Sequence, residues 1–331
     1  MVDVAEHAGV SLGTVSNVLN RPEVVAPDTQ ARVRDAIALL NFVPNNAARH
    51  LRRGRSNAVG VVVFDLANPY WGEVTTGVES VLADHGFVLM TGSSGESAAK
   101  ERRLLEAFDE RRPEGILVAS VQNVDRLLPI YEGGTPVVLL GSGGQKFPIS
   151  SVGVDDRQGG QLGAEHLFGL GHERIGFVNG PLSRESWADR RRGVEDAVNH
   201  AGLSWDRAVL EITITTPSAR VGDSVVERML SAKPRPTALF CANDLVALGV
   251  LRQFLAAGVR VPQDCALVGF DDIEVAGLLS PPLTSIRLPA YDVGRRATEM
   301  LLDEIKKPAP RSPQRVLFQP ELVVRDSSRV D

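Results

Sequence analysis

Apolar residues follow two different spacings along this chain. In residues 1–40 they recur every three or four positions, which predicts short amphipathic helices. From Ala58 onward, continuous apolar runs alternate with amphipathic segments, a pattern typical of buried parallel strands joined by helices. The predicted strands are Val59–Phe64, Phe87–Thr91, Gly115–Ala119, Val137–Leu140, Arg174–Asn179, Ala238–Cys241 and Ala266–Phe270. The predicted helices of this region are Trp71–His85, Ala98–Arg111, Gln158–Gly169, Trp187–Gly202, Ser218–Ser231, Asp244–Ala257 and Tyr291–Ile305. The fold class is therefore α/β, with an all-α head before a core of parallel sheets flanked by helices.

The head begins with two predicted helices joined by a sharp turn. Gly9 suits the left-handed backbone of that turn, and Ser11 can cap the second helix. A third helix is expected after Pro27, with Asp28 or Thr29 as its cap. The apolar positions that face inward on the first two helices are Val4, Ala5, Ala8, Val15, Val18 and Leu19. This layout predicts a helix-turn-helix, and a surface pair of helices is the alternative.

The other face of the second helix carries short side chains, which suit close docking in the major groove of DNA. These residues are Leu12, Gly13, Thr14, Ser16 and Asn17. The charge distribution agrees, because residues 1–57 hold seven arginines against five acidic residues, whereas the whole chain has a net charge of −5. Attraction to phosphate is therefore confined to one end of the chain. Residues 45–57, NNAARHLRRGRSN, continue this basic character, and a solvated linker is the simplest interpretation of them.

Length and cysteine content narrow the class of protein. A chain of 331 residues has room for two or three domains. Its two cysteines, Cys241 and Cys265, lie in apolar runs without the spacing of a metal site or a disulfide framework. No signal peptide or membrane span is predicted, so a cytoplasmic protein without membrane contact is expected.

Candidate ligand-binding residues follow the predicted strands, at the edge where parallel sheets bind their ligands. Tyr70 and Trp71 follow the first strand; they can stack on a sugar face or simply cover the sheet. Arg190 lies early in the helix after the fifth strand. Asn243 and Asp271 follow two later strands, where such residues often only cap helices. The remaining residues of this kind are Asp244, which is expected to be a helix cap, Asp272, and the glycine-rich Gly141–Gly144, which no helix follows.

The stretch DVAEHAGVSLGTVSNVLN resembles the DNA-reading head of the lac repressor family. The resemblance implies that Leu12, Gly13 and Asn17 contact bases, with Asn17 suited to adenine, while Thr14 and Ser16 bind phosphate or a base edge. For residues 45–57 it implies a hinge helix that pairs with that of a second subunit and enters the minor groove. There Ala48 would lie at the helix pair, Leu51 would wedge between base steps, and Arg49 and Arg52 would hold phosphates.

Later phrases extend this resemblance over nearly the whole chain, among them ANPYW, LGHERIGFVNGP, FCANDLVALGV and VGFDDIE. They imply a core like that of periplasmic sugar-binding proteins, with two lobes joined by three crossings near Val154, Arg287 and Leu317. The implied domains are a head (1–44), a hinge (45–57) and a core (58–331), whose lobes are 58–153 with 288–316 and 154–287 with 317–331. The implied effector contacts are Tyr70, Trp71, Arg190, Asn243 and Asp271. One departure is Gly141-Ser142, where most relatives carry Asp-Arg.

The sequence thus predicts a DNA-binding transcription regulator and no enzyme. A homodimer is expected to bind a palindromic operator, under the control of a small effector such as a sugar, without a cofactor or metal. The alternatives are a solute-binding protein of periplasmic type and a sugar-acting α/β enzyme. The head argues against the first, and the lack of a nucleophile elbow, metal cluster or P-loop argues against the second.

Overall fold

The computed structural model describes residues 1–42, 56–119, 127–141, 147–307 and 312–329. The chain divides into two compact units at Arg55, a small helical head and a large α/β core. Each unit is built around its own buried apolar residues.

In residues 1–42 the head forms three short helices and one turn of 3-10 helix. Its helices are α1 Val2–Ala8, α2 Leu12–Asn20 and α3 Pro27–Leu39, with the 3-10 turn at Pro22–Val24. Gly9 adopts φ 63°, and the Ser11 hydroxyl accepts a hydrogen bond from the Thr14 N–H, so both turn features are present as predicted. The expected cap of α3 was wrong. That helix begins at Pro27, whose fixed φ suits a first helical position, so Ala26 stands at the cap position and no side chain caps the helix.

Among the described residues of the core, twelve strands form two six-stranded sheets. The first sheet, in the order β11-β5-β4-β3-β1-β2, is parallel throughout; the second, in the order β12-β10-β9-β8-β6-β7, is parallel except for β12. The strands are β1 Ala58–Val63, β2 Val88–Ser93, β3 Gly115–Val118, β4 Val137–Leu140, β5 Ser150–Val154, β6 Ile175–Asn179, β7 Val209–Thr213, β8 Ala238–Phe240, β9 Ala266–Asp271, β10 Thr284–Arg287, β11 Arg315–Phe318 and β12 Glu321–Val323. Five of them were not predicted, namely β5, β7, β10, β11 and β12. They are short and polar or mixed in sequence, so their pairing follows from neighbouring strands rather than from an apolar run.

Helices cover both faces of each sheet, as the continuous apolar strands require. They are α4 Pro69–Asp84, α5 Ala98–Asp109, α6 Leu127–Glu132, α7 Asp156–Gly169, α8 Glu185–His200, α9 Trp205–Ala208, α10 Gly222–Ser231, α11 Asp244–Ala256 and α12 Ala290–Lys306. All seven predicted helices are present, and α6 and α9 are additional short ones.

The two sheets define two lobes, which we call the first and second lobe. The chain passes between them after β5, after β10 and between β11 and β12. The ligand-binding edge of one sheet therefore faces that of the other, because all three passages follow strand ends.

Glycines bring two helix pairs into backbone contact. A Cβ on Gly160 of α7 would lie 2.1 Å from the Arg190 carbonyl oxygen of α8, and a Cβ on Gly193 would lie 1.8 Å from the Arg157 carbonyl oxygen. In the first lobe, a Cβ on Gly77 of α4 would lie 2.1 Å from the Tyr291 carbonyl oxygen of α12. No larger residue fits at these crossings without moving a helix.

Candidate functional site

A cavity of about 330 Å³ lies between the two lobes of the core. All five residues predicted to contact an effector line it: Tyr70, Trp71, Arg190, Asn243 and Asp271. Further lining residues are Phe64, Asp65, Asn68, Glu96, Gly141, Asp156, Arg184, Glu185, Trp187 and Ala242. The cavity thus combines aromatic surface with convergent polar groups, as small-molecule sites do.

Arg190 forms the buried back wall of the cavity. It lies in α8, whose first residue is Glu185, two positions before the predicted start. Its side chain donates to the Ala242 carbonyl oxygen at 2.6 Å and to an Asp156 carboxylate oxygen at 2.7 Å. Its guanidinium also lies over the Phe270 ring, 3.4 Å from the ring centroid. Burial raises the pKa of Asp156, and Arg190 opposes that rise, so the pair is a partly desolvated unit within the second lobe.

Asp271 ends β9 in an unusual backbone conformation. The backbone φ of Asp271 is 104° and that of Asp272 is 54°, values that residues other than glycine rarely adopt. One Asp271 carboxylate oxygen accepts a hydrogen bond of 3.1 Å from the Asn68 amide, which belongs to the first lobe. Burial raises the pKa of Asp271 to about 7, although Arg190 and the bond from Asn68 act in the opposite direction.

Tyr70 and Trp71 supply the aromatic wall from the start of α4. Their rings meet edge to face with centroids 5.0 Å apart, and Trp71 meets Phe64 in the same way at 5.3 Å. Both rings also pack against the core beneath them, so they cover the sheet and line the cavity at once. Burial, followed by the charge of Asp271, raises the pKa of Tyr70.

Arg184 and Glu96 form an ion pair of 2.8 Å across the two lobes. The Arg184 guanidinium also lies 3.7 Å from the centroid of the Phe64 ring, which belongs to the first lobe. Neither charged residue was predicted, nor were Asp156 and Asn68. Asn68 is part of the ANPYW phrase, and Asp156 lies in VGVDDRQGG (residues 152–160), a further phrase of the resemblance, so the resemblance could have pointed to those two.

The cap of α11 differs from the prediction. Asn243, not Asp244, caps this helix, since its side-chain oxygen accepts from the Val246 N–H at 2.9 Å. The Asp244 carboxylate instead accepts from the Ser285 hydroxyl and the Ile273 N–H, and is buried. Asp244 thus ties β10 to the end of β9, and Asn243 both caps the helix and lines the cavity.

In the head, the predicted DNA contacts lie on the outer side of α2. Leu12, Gly13 and Asn17 are exposed, whereas Thr14 and Ser16 are half-buried. The Thr14 hydroxyl is hydrogen-bonded to that of Ser11 at 2.9 Å. The hinge candidates Ala48, Arg49, Leu51 and Arg52 lie outside the described residues, as does Ser142.

Known proteins match both units of the chain. Residues 1–45 match bacterial regulatory proteins of the lacI family, and residues 164–328 match the periplasmic binding protein-like domain. The HTH-type transcriptional repressor PurR of Aliivibrio fischeri (strain MJ11) is 35% identical over 332 residues, which cover 98% of this chain and 97% of that protein. The chain belongs to the lacI family. As a member of that family it is a DNA-binding transcription regulator and not an enzyme.

Solved structures of this family share the whole fold. The lac repressor dimer bound to operator and the anti-inducer ONPF is 29% identical, with a TM-score of 0.85 over 99% of this chain and 98% of that one. The transcriptional regulator CelR in complex with cellobiose is 32% identical, with a TM-score of 0.72 over 98% of each chain. Within the part of the chain that the structure describes, no helix is long and apolar enough to cross a membrane.

Proposed function

We propose that this lacI-family regulator is a cytoplasmic repressor whose affinity for DNA is controlled by a small effector that binds in the cavity between its lobes. It acts as a homodimer on a palindromic operator, because a single head reads only a short half-site. The head is residues 1–44, the hinge 45–57, and the core 58–331, with lobes 58–153 plus 288–316 and 154–287 plus 317–331. The lac repressor, whose structure is that of a dimer on its operator, supports this arrangement.

The observation that carries the proposal is the meeting of residues from separate parts of the chain in one cavity. Tyr70 and Trp71 come from the first lobe, whereas Arg190, Asn243 and Asp271 come from the second. A ligand held by both sets binds more tightly when the lobes are closed around it. Ligand binding is thereby coupled to lobe closure. If the DNA-bound protein favours either the open or the closed arrangement of the lobes, ligand binding also changes the affinity for DNA.

The effector is a sugar or a related polyhydroxyl compound. Arginine and carboxylate groups fix several hydroxyls by donating and accepting hydrogen bonds, and the faces of Tyr70 and Trp71 provide a flat apolar wall. Binding of cellobiose by CelR supports this class of ligand. Gly141 lines the cavity at a position where the family resemblance implies aspartate, so no side chain from this position contacts the ligand.

DNA recognition is assigned to α2 and the hinge. Asn17 reads adenine, Leu12 contacts a thymine methyl group, and Gly13 allows close approach to the base edges. The residues assigned to phosphates, base edges and the minor groove are Thr14, Ser16, Ala48, Arg49, Leu51 and Arg52.

A ligand screen tests the effector site. Neutral sugars are screened by thermal shift against the wild type, Arg190→Ala, and the control Arg252→Ala, which removes an exposed arginine that does not line the cavity. A sugar that stabilises the native state should raise the melting temperature of the wild type and the control, but not of Arg190→Ala. The same sugar should change operator affinity in the wild type and in Arg252→Ala, but not in Arg190→Ala. An equal response in all three would place the effector elsewhere.

A further inference from the structure

We propose that the cavity selects an uncharged ligand, and that Glu96 excludes anionic ligands by forming an ion pair with Arg184. This inference rests on the proposed effector role of the cavity and adds the electrical character of the ligand. The cavity would bind a neutral polyhydroxyl compound in preference to an anionic derivative such as a sugar phosphate.

The charges around the cavity are unequal. Among the described residues that line it, two are arginines and five are acidic: Arg184, Arg190, Asp65, Glu96, Asp156, Glu185 and Asp271. An anionic ligand would therefore meet a surplus of carboxylates. A buried anion needs a cation or several hydrogen-bond donors to replace its lost hydration, so the availability of the two arginines decides whether one can bind.

Each of the two arginines is already paired with a carboxylate. Arg190 donates to Asp156 and to the Ala242 carbonyl oxygen, which occupies two of its nitrogen atoms. Arg184 is paired with Glu96 and lies flat against the Phe64 ring. Within the described part of the chain, Asp271 forms no ion pair, and its hydrogen bond comes from the neutral amide of Asn68. The Nε atoms of both arginines have no hydrogen-bond partner among the described residues, but the charge of each guanidinium is already balanced by a carboxylate, so an anion would gain no uncompensated cation.

The two ion pairs differ in how easily they can be separated. Asp156 and Arg190 lie on α7 and α8, which Gly160 and Gly193 hold in backbone contact, so this pair is fixed by the scaffold. Glu96 and Arg184 lie instead on two loops, one before α5 and one before α8, and belong to different lobes. A single substitution at Glu96 therefore frees one cation without disturbing a helix crossing.

Arg184 would bind an anion strongly once released. Its side chain is only 17% exposed, and burial lowers its pKa while Glu96 opposes that effect. The guanidinium is thus poorly hydrated, and its charge is balanced by one carboxylate. With Glu96 replaced by glutamine, a phosphate or carboxylate group in the cavity becomes its best remaining partner, since two parallel N–H donors match such a group.

Calorimetry with inorganic phosphate tests the role of Glu96 independently of the natural effector. The proteins are the full-length wild type, Glu96→Gln, and the control Glu185→Gln, which removes the same charge from the cavity lining but leaves the Glu96–Arg184 pair intact. We expect Glu96→Gln to bind phosphate on the order of tenfold more tightly than the wild type, and Glu185→Gln to differ from it by about twofold at most. The double variant Glu96→Gln/Arg184→Ala should lose the gain. Circular dichroism checks that each variant is folded.

Several outcomes would overturn the inference. If Glu96→Gln binds phosphate no more tightly than the wild type does, Glu96 does not prevent anions from binding to Arg184. An equal gain in Glu185→Gln would attribute the effect to overall charge. In a screen of matched pairs such as glucose with glucose 6-phosphate and ribose with ribose 5-phosphate, a phosphate ester preferred by the wild type would refute the uncharged ligand. A ligand response that survives Arg190→Ala contradicts the proposed function instead, so the two failures are distinguishable.

Discussion

The raised pKa of Asp271 makes the stability of the core depend on pH in a defined direction. The ordinary pKa of this carboxyl is 3.8, and in the folded protein it is about 7. The folded chain therefore holds the proton more tightly than the unfolded chain. The corresponding contribution to stability is fully present below pH 3.8 and is lost as the pH rises through about 7.

The size of the effect follows from the same two values. A difference of about 3 in pKa, at about 1.4 kcal/mol for each tenfold change, corresponds to about 4 kcal/mol, of which about 3 kcal/mol is lost between pH 5 and pH 8. The side chain is only partly buried by surface area and borders the cavity, so solvent screens part of the effect. We expect a loss of about 1–2 kcal/mol in practice. Arg190 and Arg184 lower the pKa of Asp271, and Asp156 raises it.

Replacement of Asp271 by asparagine removes the titration with little change in shape. Asparagine also tolerates a positive φ better than most residues, so the substitution should not strain the backbone at this position. Urea unfolding is followed by tryptophan fluorescence, since Trp71, Trp187 and Trp205 all lie in the core and report on it alone. The free energy of unfolding should fall between pH 5 and pH 8 by about 1–2 kcal/mol more in the wild type than in Asp271→Asn. Parallel pH profiles for the two proteins would refute a strongly raised pKa at this position.

Two further predictions concern the head and the scaffold. Asn17→Ala should weaken operator binding by roughly 1–3 kcal/mol and relax preference at one base pair per half-site, as measured by fluorescence anisotropy with altered operators; a uniform loss on all sequences would make Asn17 a phosphate contact. Gly160→Ala should destabilise the core by roughly 1–3 kcal/mol, because the added Cβ would lie 2.1 Å from the Arg190 carbonyl oxygen. Gly169→Ala, later in α7 with open space around it, is the matched control in urea unfolding. Equal stability of these two variants would contradict the close helix contact.

The sequence predicts the layered architecture well but only part of the strand set. Seven strands are continuous apolar runs, so composition alone reveals them. Ser150–Val154, in contrast, contains two serines and a glycine, yet it is fully buried because strands pair with it on both sides. The burial of this strand depends on its position within the sheet, which cannot be predicted from the local composition.

The candidate site shows the same limit. Arg190 and Asp271 were predicted because they follow strands and match family phrases, and both line the cavity. Arg184 and Glu96 are far apart in sequence, and each resembles an ordinary surface charge until the lobes bring them together. Asn243 and Asp244 are adjacent, and only the backbone direction after β8 decides which of them caps α11.

The backbone contact between α7 and α8 separates what can be redesigned in this protein from what cannot. Because Gly160 and Gly193 leave no free space, the spacing of Asp156 and Arg190 is inherited from the helix crossing and cannot be tuned by repacking side chains. Residues 181–184 carry no such restriction, since they form a loop that is exposed or half-buried. The loop 94–97 is less free, because Ser94 is buried, Gly95 has a φ of 56° and Ser97 caps α5. A library aimed at a biosensor for a new ligand should therefore randomise residues 181–184 and keep both helices unchanged, so that a change of specificity does not destabilise the protein.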